Sequence, residues 1–199
     1  MKLICLEGCS GTGKTTQYHL LKEYFLNSDK KCLFVVEKDY EPFKTIVQKW
    51  HKEKEPSDIL DLDYIISFAK AREESFSKNF AEKNLDFLIM DRYYYTSAVY
   101  QCSEKIFPEE ILSINKRYGS PIPDITFLFE CDPKISFERS ERRNNITGGK
   151  HLFSTNTDKI KLIQNRYRTL LNICPEIEVI NTKRQIAQIT DELINKIKF

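Results

Sequence analysis

The 199-residue chain is predicted to fold as a doubly wound α/β domain, a parallel five-stranded sheet flanked by helices. Three observations predict it. Short apolar runs alternate with longer stretches of helical spacing. A glycine-rich segment stands between the first run and the first helix. Acidic residues follow directly on the second and third runs, at the edge where open parallel sheets bind ligands.

The elements follow in order. Leu3-Ile4-Cys5-Leu6 is the first strand, four apolar residues that suit a strand buried on both faces. Gly8-Cys9-Ser10-Gly11-Thr12-Gly13-Lys14-Thr15 comes next: glycine, four residues, glycine, lysine, threonine. In such a loop the glycines let backbone N–H groups turn inward around a β-phosphate, Lys14 reaches the β- and γ-phosphates, and the Thr15 hydroxyl can ligate Mg²⁺. Gly8, Ser10, Gly11, Thr12, Gly13, Lys14, Thr15 and Thr16 are therefore the expected site for a nucleoside triphosphate. The loop is expected to face solvent when no nucleotide is bound. Helix Thr16–Phe25 carries Tyr18, Leu21 and Phe25 on one face, and its N-terminal dipole points at the anion. Cys9 is either a space-filling residue or a thiol whose pKa the helix-terminal N–H groups lower.

Cys32–Val36 is the second strand and Glu37 stands at its end. Helical spacing covers 59–80. Phe87–Met90 is the third strand, ending Leu88-Ile89-Met90-Asp91-Arg92. A carboxylate there is placed to hold Mg²⁺ through water, with Thr15 as the other metal ligand, and Arg92 faces the transferred or accepting phosphate. From Tyr94 onward a helix would put Thr96 and Tyr100 one turn apart on a shared face. Ile125–Phe129 and Ile177–Ile180 are the last two strands, with helical spacing over 135–143 and 160–173 between them. Asn144-Asn145-Ile146-Thr147-Gly148-Gly149-Lys150 is polar and glycine-containing, and we read a lid over about 144–155.

Composition narrows the classes. With 41% hydrophobic residues the chain suits one domain, 1–199, with a substantial core. Thirty-one basic against 29 acidic residues create no global field for nucleic acid. No apolar run is long enough for a membrane span or a signal-peptide core, so a cytoplasmic location and no membrane partner are expected. Six cysteines without paired two-residue spacing read as small buried hydrophobes in a reducing environment.

The chain resembles the thymidylate kinase family nearly end to end, which implies a phosphate-loop nucleotide-kinase fold with a lid. Leu6-Glu7-Gly8 and Lys14-Thr15-Thr16-Gln17 match the family's entry to and exit from the loop. Phe68-Ala69-Lys70-Ala71-Arg72 matches its Phe-x-x-x-Arg substrate helix, and Asp91-Arg92-Tyr93, Thr96 and Tyr100-Gln101 match its Asp-Arg-Tyr, Ser/Thr and Tyr-Gln positions. Pro123-Asp124-Ile125-Thr126 and Asp132-Pro133 match the next strand and turn. The resemblance implies that Phe68 stacks on an acceptor base, that Arg72 bonds its edge, and that Arg139 and Arg143 approach the adenine and phosphates of ATP. Lys14, Asp91, Arg92 and Arg143 would form the catalytic set, and Glu37, Phe68, Arg72, Arg92, Thr96, Tyr100 and Gln101 the acceptor site. The implied reaction moves the γ-phosphate of ATP, with Mg²⁺, onto a pyrimidine deoxynucleotide, foremost dTMP. A homodimer formed through helices beside the sheet is a further implication.

Three departures stand out. The family's Thr-Arg-Glu-Pro-Gly-Gly is replaced by Val36-Glu37-Lys38-Asp39-Tyr40-Glu41-Pro42, without the arginine that helps bind the acceptor phosphate. Ser10 stands where an acid is usual. The lid lacks its Asp-Arg pair, leaving Arg142, Arg143 or Lys150 to neutralise transition-state charge. Deoxynucleoside kinases are also similar, with Glu37 then a base for a 5′-hydroxyl. A non-catalytic, nucleotide-dependent regulatory protein is a third class. Phe68-x-x-x-Arg72 and Asp91-Arg92-Tyr93 favour the monophosphate kinase.

Overall fold

The computed structural model describes residues 1–53, 62–147 and 155–198. Strands β1 (Lys2–Glu7), β2 (Cys32–Val36), β3 (Phe87–Asp91), β4 (Ile125–Glu130) and β5 (Ile177–Asn181) form one sheet in the order β2-β3-β1-β4-β5, every neighbour parallel. The register runs Leu3 to Leu88, Leu33 to Leu88 and Thr126 to Ile177, so all five strands end on one edge.

The helices are α1 (Lys14–Leu26), α2 (Phe43–Glu53), α3 (Leu62–Asn79), α4 (Tyr94–Tyr100), α5 (Pro108–Arg117), α6 (Pro133–Thr147), α7 (Thr157–Leu170) and α8 (Ile186–Lys198). Both faces of the sheet are covered because β1 has no polar face to expose. Leu3 and Cys5 point into a core shared with Ile65 and Phe76 of α3, Val99 of α4, Ile111 of α5 and Tyr167 of α7. Ile4 and Leu6 point the other way, onto Leu21 and Phe25 of α1 and Leu193 and Ile197 of α8. At about 25 cal/mol per Å² of apolar surface, two such layers dominate the driving force for folding.

Every strand expected from the sequence is present: the second has the expected bounds, the first is longer by one residue at each end, and the other three are longer by one residue at the C-terminal end. Three helices were not anticipated. α5 carries its signals at its ends, proline in the first turn and Lys116-Arg117 in the last. α2 and α8 pack one stripe each, Phe43 in the first and Ile189, Leu193 and Ile197 in the second. Of the helical spacing over 59–80, residues 62–79 form α3, and 59–61 lie outside the described residues. Of the lid segment, residues 144–147 continue α6, while 148–154, including Lys150, lie outside the described residues. Among the described residues no helix is long and apolar enough to cross a membrane.

Candidate functional site

The strand ends open into a cavity of about 1160 Å³ that runs from Thr182 and Arg184 past the phosphate loop to Phe43 of α2 and Phe68 and Arg72 of α3. Cys9 through Thr16 line its middle. Gly13 caps α1 at φ 95°, and Gly11 at φ 81° lies so close to α6 that a Cβ there would sit 2.0 Å from the Ser136 carbonyl oxygen. The loop is thus pressed against the first turn of α6, and glycine is required by contact as well as by backbone conformation. Thr12 is fully buried and its hydroxyl donates to the Cys9 carbonyl at 3.0 Å, so its contribution to an anion is its backbone. Thr15 and Thr16 are exposed to the cavity.

Lys14 does not face solvent. It is 6% exposed and its Nζ donates to Asp91 Oδ1 at 2.6 Å. Register explains the pairing, because Leu6 of β1 lies opposite Asp91 at the end of β3, which puts the loop that follows β1 beside that carboxylate. Burial lowers the Lys14 pKa, with Arg92 adding to the effect and Asp91 opposing it. Asp91 Oδ2 makes no hydrogen bond among the described residues. Mg²⁺ takes one or two protein oxygens and completes its shell with water and phosphate. The Thr15 hydroxyl and Asp91 carboxylate fit that demand, and among the described residues no group of three or more His, Cys, Asp or Glu competes for a metal.

Arg92 follows Asp91 in the left-handed region, φ 72°, which costs a side-chain-bearing residue about 1–2 kcal/mol. Its backbone is held by an N–H bond to Leu6 O at 3.0 Å. Its Nη1 donates to Thr96 Oγ1 at 3.1 Å and to the Tyr167 hydroxyl at 3.4 Å, and the guanidinium lies 5.8 Å from the Tyr100 ring. Desolvation pulls its pKa down, while Tyr100, Tyr167, Glu7 and Asp91 more than reverse this and keep it charged.

Arg143 lines the same region from α6. It donates to Ser10 Oγ at 2.6 Å, so the hydroxyl at the position where an acid is usual receives a cation. Arg139, one turn earlier, also lines the cavity. Arg142 is exposed and does not line it.

The far end is aromatic. Phe68 is buried, edge-on to Phe43 at 5.6 Å, and both line the cavity. Arg72, one turn along α3, is 1% exposed and lies 4.5 Å from the Phe43 ring and 5.5 Å from that of Tyr93. Four hydrogen bonds fix it: Nε to Glu37 Oε1 at 2.6 Å, Nη2 to Glu37 Oε2 at 3.0 Å, Nη1 to Asn115 Oδ1 at 2.5 Å and Nη2 to Ser97 Oγ at 2.9 Å. One of its five N–H groups is left over for a ligand. Burial raises the Glu37 pKa and the Arg72 charge opposes it. Gln101 is buried against this end and its Oε1 has no partner among the described residues, as expected of an atom that a bound molecule satisfies.

All the predicted site residues but Gly8 thus line one cavity. Sequence reasoning missed Asn115, Ser97, Glu7 as a site residue, and Tyr167. It also missed the lining from Thr182 and Arg184, in the loop after β5. The adjacent polar run Asn181-Thr182-Lys183-Arg184 was the available signal. Cys9 is buried and burial pushes its thiol up to about 12, against the lowered value one sequence reading allowed.

Comparison with known proteins adds an independent line. A family model described as "Thymidylate kinase" matches residues 6–193. A protein of Methanosphaera stadtmanae named "Probable thymidylate kinase" is 32% identical over 167 residues, 81% of this chain and 83% of that one. A "Probable thymidylate kinase" of Pyrococcus horikoshii is 26% identical over 200 residues, 98% and 95% of the two chains. The "Thymidylate kinase" of Leptospira interrogans is 29% identical over 174 residues, 84% and 80%.

Proposed function

The chain belongs to the thymidylate kinase family, and from that premise we propose that it transfers the γ-phosphate of ATP to a pyrimidine deoxynucleoside monophosphate, converting dTMP to dTDP. An oxygen of the acceptor phosphate attacks the γ-phosphorus, the bond to the β,γ-bridging oxygen breaks, and ADP leaves. The attacking oxygen is already anionic, so positioning and charge stabilisation supply most of the rate.

The roles are these. The phosphate loop holds the β-phosphate through its N–H groups, and Lys14 leaves Asp91 to contact the β- and γ-phosphate oxygens. Arg92 holds the acceptor phosphate, with exposed Lys38 as a second cation where the family's arginine is missing. Arg143 balances charge on the γ-phosphate, and Arg139 and Arg184 flank the donor nucleoside. Phe68 stacks on the acceptor base, and Arg72, Gln101, Thr96 and Tyr100 form its polar surround. When bound at Thr15 and Asp91, Mg²⁺ neutralises charge on the triphosphate.

The observation that carries this reading over a nucleoside kinase is the two-pronged ion pair of Glu37 with Arg72. Both carboxylate oxygens are committed to the guanidinium, so neither is turned toward an acceptor hydroxyl, and the β2 acid acts as an anchor for Arg72. Initial rates with ATP and Mg²⁺ against a panel of nucleosides and monophosphates test it. We expect dTMP to be preferred over thymidine and deoxycytidine by a factor of about 10² or more in kcat/KM. Efficient phosphorylation of a nucleoside, lost in Glu37→Gln, would make the nucleoside kinase correct. No turnover with any acceptor would leave the regulatory class.

A further inference from the structure

Glu7, the last residue of β1, is 1% exposed and accepts four hydrogen bonds. Oε1 takes the backbone N–H groups of Tyr93 at 2.8 Å and Thr96 at 3.3 Å. Oε2 takes the hydroxyls of Thr96 at 2.7 Å and Tyr167 at 2.9 Å. Those hydroxyls are the two acceptors of Arg92 Nη1. We propose that Glu7 is a positioning residue for phosphoryl transfer, acting through Thr96 and Tyr167 on Arg92. This rests on the reading that Arg92 holds the acceptor phosphate.

A hydroxyl has one proton and two lone pairs. An ionised carboxylate only accepts, so each hydroxyl must turn its proton toward Glu7, which leaves lone pairs to face Arg92. The carboxylate therefore sets the polarity of both hydroxyls, and the guanidinium meets acceptors where it would otherwise meet competing donors. The other oxygen fixes the backbone just beyond the left-handed Arg92, so one side chain fixes both the root and the tip of the arginine. Tyr167 comes from α7, on the far side of the lid segment from Arg143, and brings that helix into the same network. A glutamine in place of Glu7 keeps the shape, but with its oxygen on the two backbone N–H groups its N–H₂ faces both hydroxyls and reverses their polarity.

The test is a double-mutant cycle on the full-length protein with ATP, Mg²⁺ and dTMP. Tyr167→Phe keeps the ring and removes one relay hydroxyl, and we expect kcat to fall by about 5- to 10-fold with the KM for ATP unchanged. In an Arg92→Ala background the same change should cost less than about 2-fold, because its only route to the reaction is gone. Thr96→Val should lower kcat to a similar extent, and that loss too should shrink in the Arg92→Ala background. Glu7→Gln should lower kcat at least as far as Tyr167→Phe. Should that variant fail to fold, the Tyr167 and Thr96 cycles decide. An equal cost of Tyr167→Phe in both backgrounds overturns the inference alone. Wild-type activity in Arg92→Ala overturns the acceptor-phosphate reading, and this inference with it.

Discussion

Glu37 and Arg72 meet fork to fork, both carboxylate oxygens on one guanidinium, with Arg72 almost completely buried between the rings of Phe43 and Tyr93. Breaking a buried pair of this kind by neutralising one member costs about 3–5 kcal/mol, since the other charge stays behind. Glu37→Gln is therefore expected to melt about 10 °C lower. Turnover of dTMP, measured well below that melting point, should drop by less than about 10-fold, and the acidic limb of its pH–rate profile should persist. A loss of about 10²–10⁴-fold together with that limb would identify Glu37 as a base.

The reverse substitution has a pH signature. In Arg72→Ala the buried Glu37 keeps its desolvation cost and loses the charge that opposed it, so its folded-state pKa rises further above the unfolded value. A carboxyl shifted upward stabilises the fold below its unfolded pKa and loses that contribution as pH rises through the folded pKa. Urea denaturation should show the variant close to wild type near pH 4.5 and increasingly less stable toward pH 8. A deficit that does not depend on pH would mean that lost packing, and not the orphaned carboxylate, is the cause. Base selectivity should relax in the same variant.

Much of this was legible in the chain. The central strands β1, β3 and β4 are buried on both faces and stand out as largely apolar runs, the edge strands β2 and β5 are only partly buried, and the phosphate loop is specified by backbone geometry that few residue types allow. What sequence could not show are partnerships across the sheet. Asn115 lies on α5, whose ten residues are too few for helical spacing to stand out, yet its amide oxygen receives Arg72 from α3. Tyr167 reads as an ordinary core aromatic, and only the placement of α7 brings its hydroxyl to Glu7, 160 positions away. Lys14 looked solvent-facing because its partner Asp91 lies 77 positions on, beside it only once β1 and β3 pair.

That pairing shapes the expectation for Lys14→Ala. Turnover should fall by about 10²-fold or more, because the ammonium contacts oxygens on which charge builds. The fold should persist, with a modest change in melting temperature, since removal relieves the burial cost that lowers the Lys14 pKa even as Asp91 loses its partner. Near-native turnover with any acceptor would remove the enzyme reading.

Cys9 tests the electrostatics of the loop by a separate route. Its thiol is buried and pushed up to about 12, so iodoacetamide at pH 8 should neither label it nor inactivate the enzyme. The unfolded thiol ionises near 9. Between those values the folded state binds more protons, and stability falls as pH rises. The unfolding free energy of wild type relative to Cys9→Ala, measured by urea denaturation, should therefore decline from pH 8 to pH 10, with a slope approaching about 1.4 kcal/mol per pH unit above the unfolded pKa. Rapid inactivation at pH 7 would instead indicate a reactive thiolate.

Gly11 and Gly13 separate contact from conformation within one loop. Both have positive φ, 81° and 95°, so alanine at either site bears a left-handed penalty of about 1–2 kcal/mol. At Gly13 nothing lies within 4 Å of the added Cβ, and that penalty is the whole cost. At Gly11 the Cβ would meet the Ser136 carbonyl oxygen at 2.0 Å and its carbon at 2.8 Å, both backbone atoms of the first turn of α6. A flexible side chain could yield, but a helix must move as a body, and α6 carries Arg139 and Arg143 with it. Gly13→Ala should therefore melt only a few degrees lower. Gly11→Ala should lose more than about 4 kcal/mol or fail to accumulate as soluble protein. If it folds, its KM for ATP should rise more than its KM for dTMP, because the displaced arginines serve the donor. Equal melting temperatures for the two variants, measured by circular dichroism under the same conditions, would show that α6 does not hold the loop.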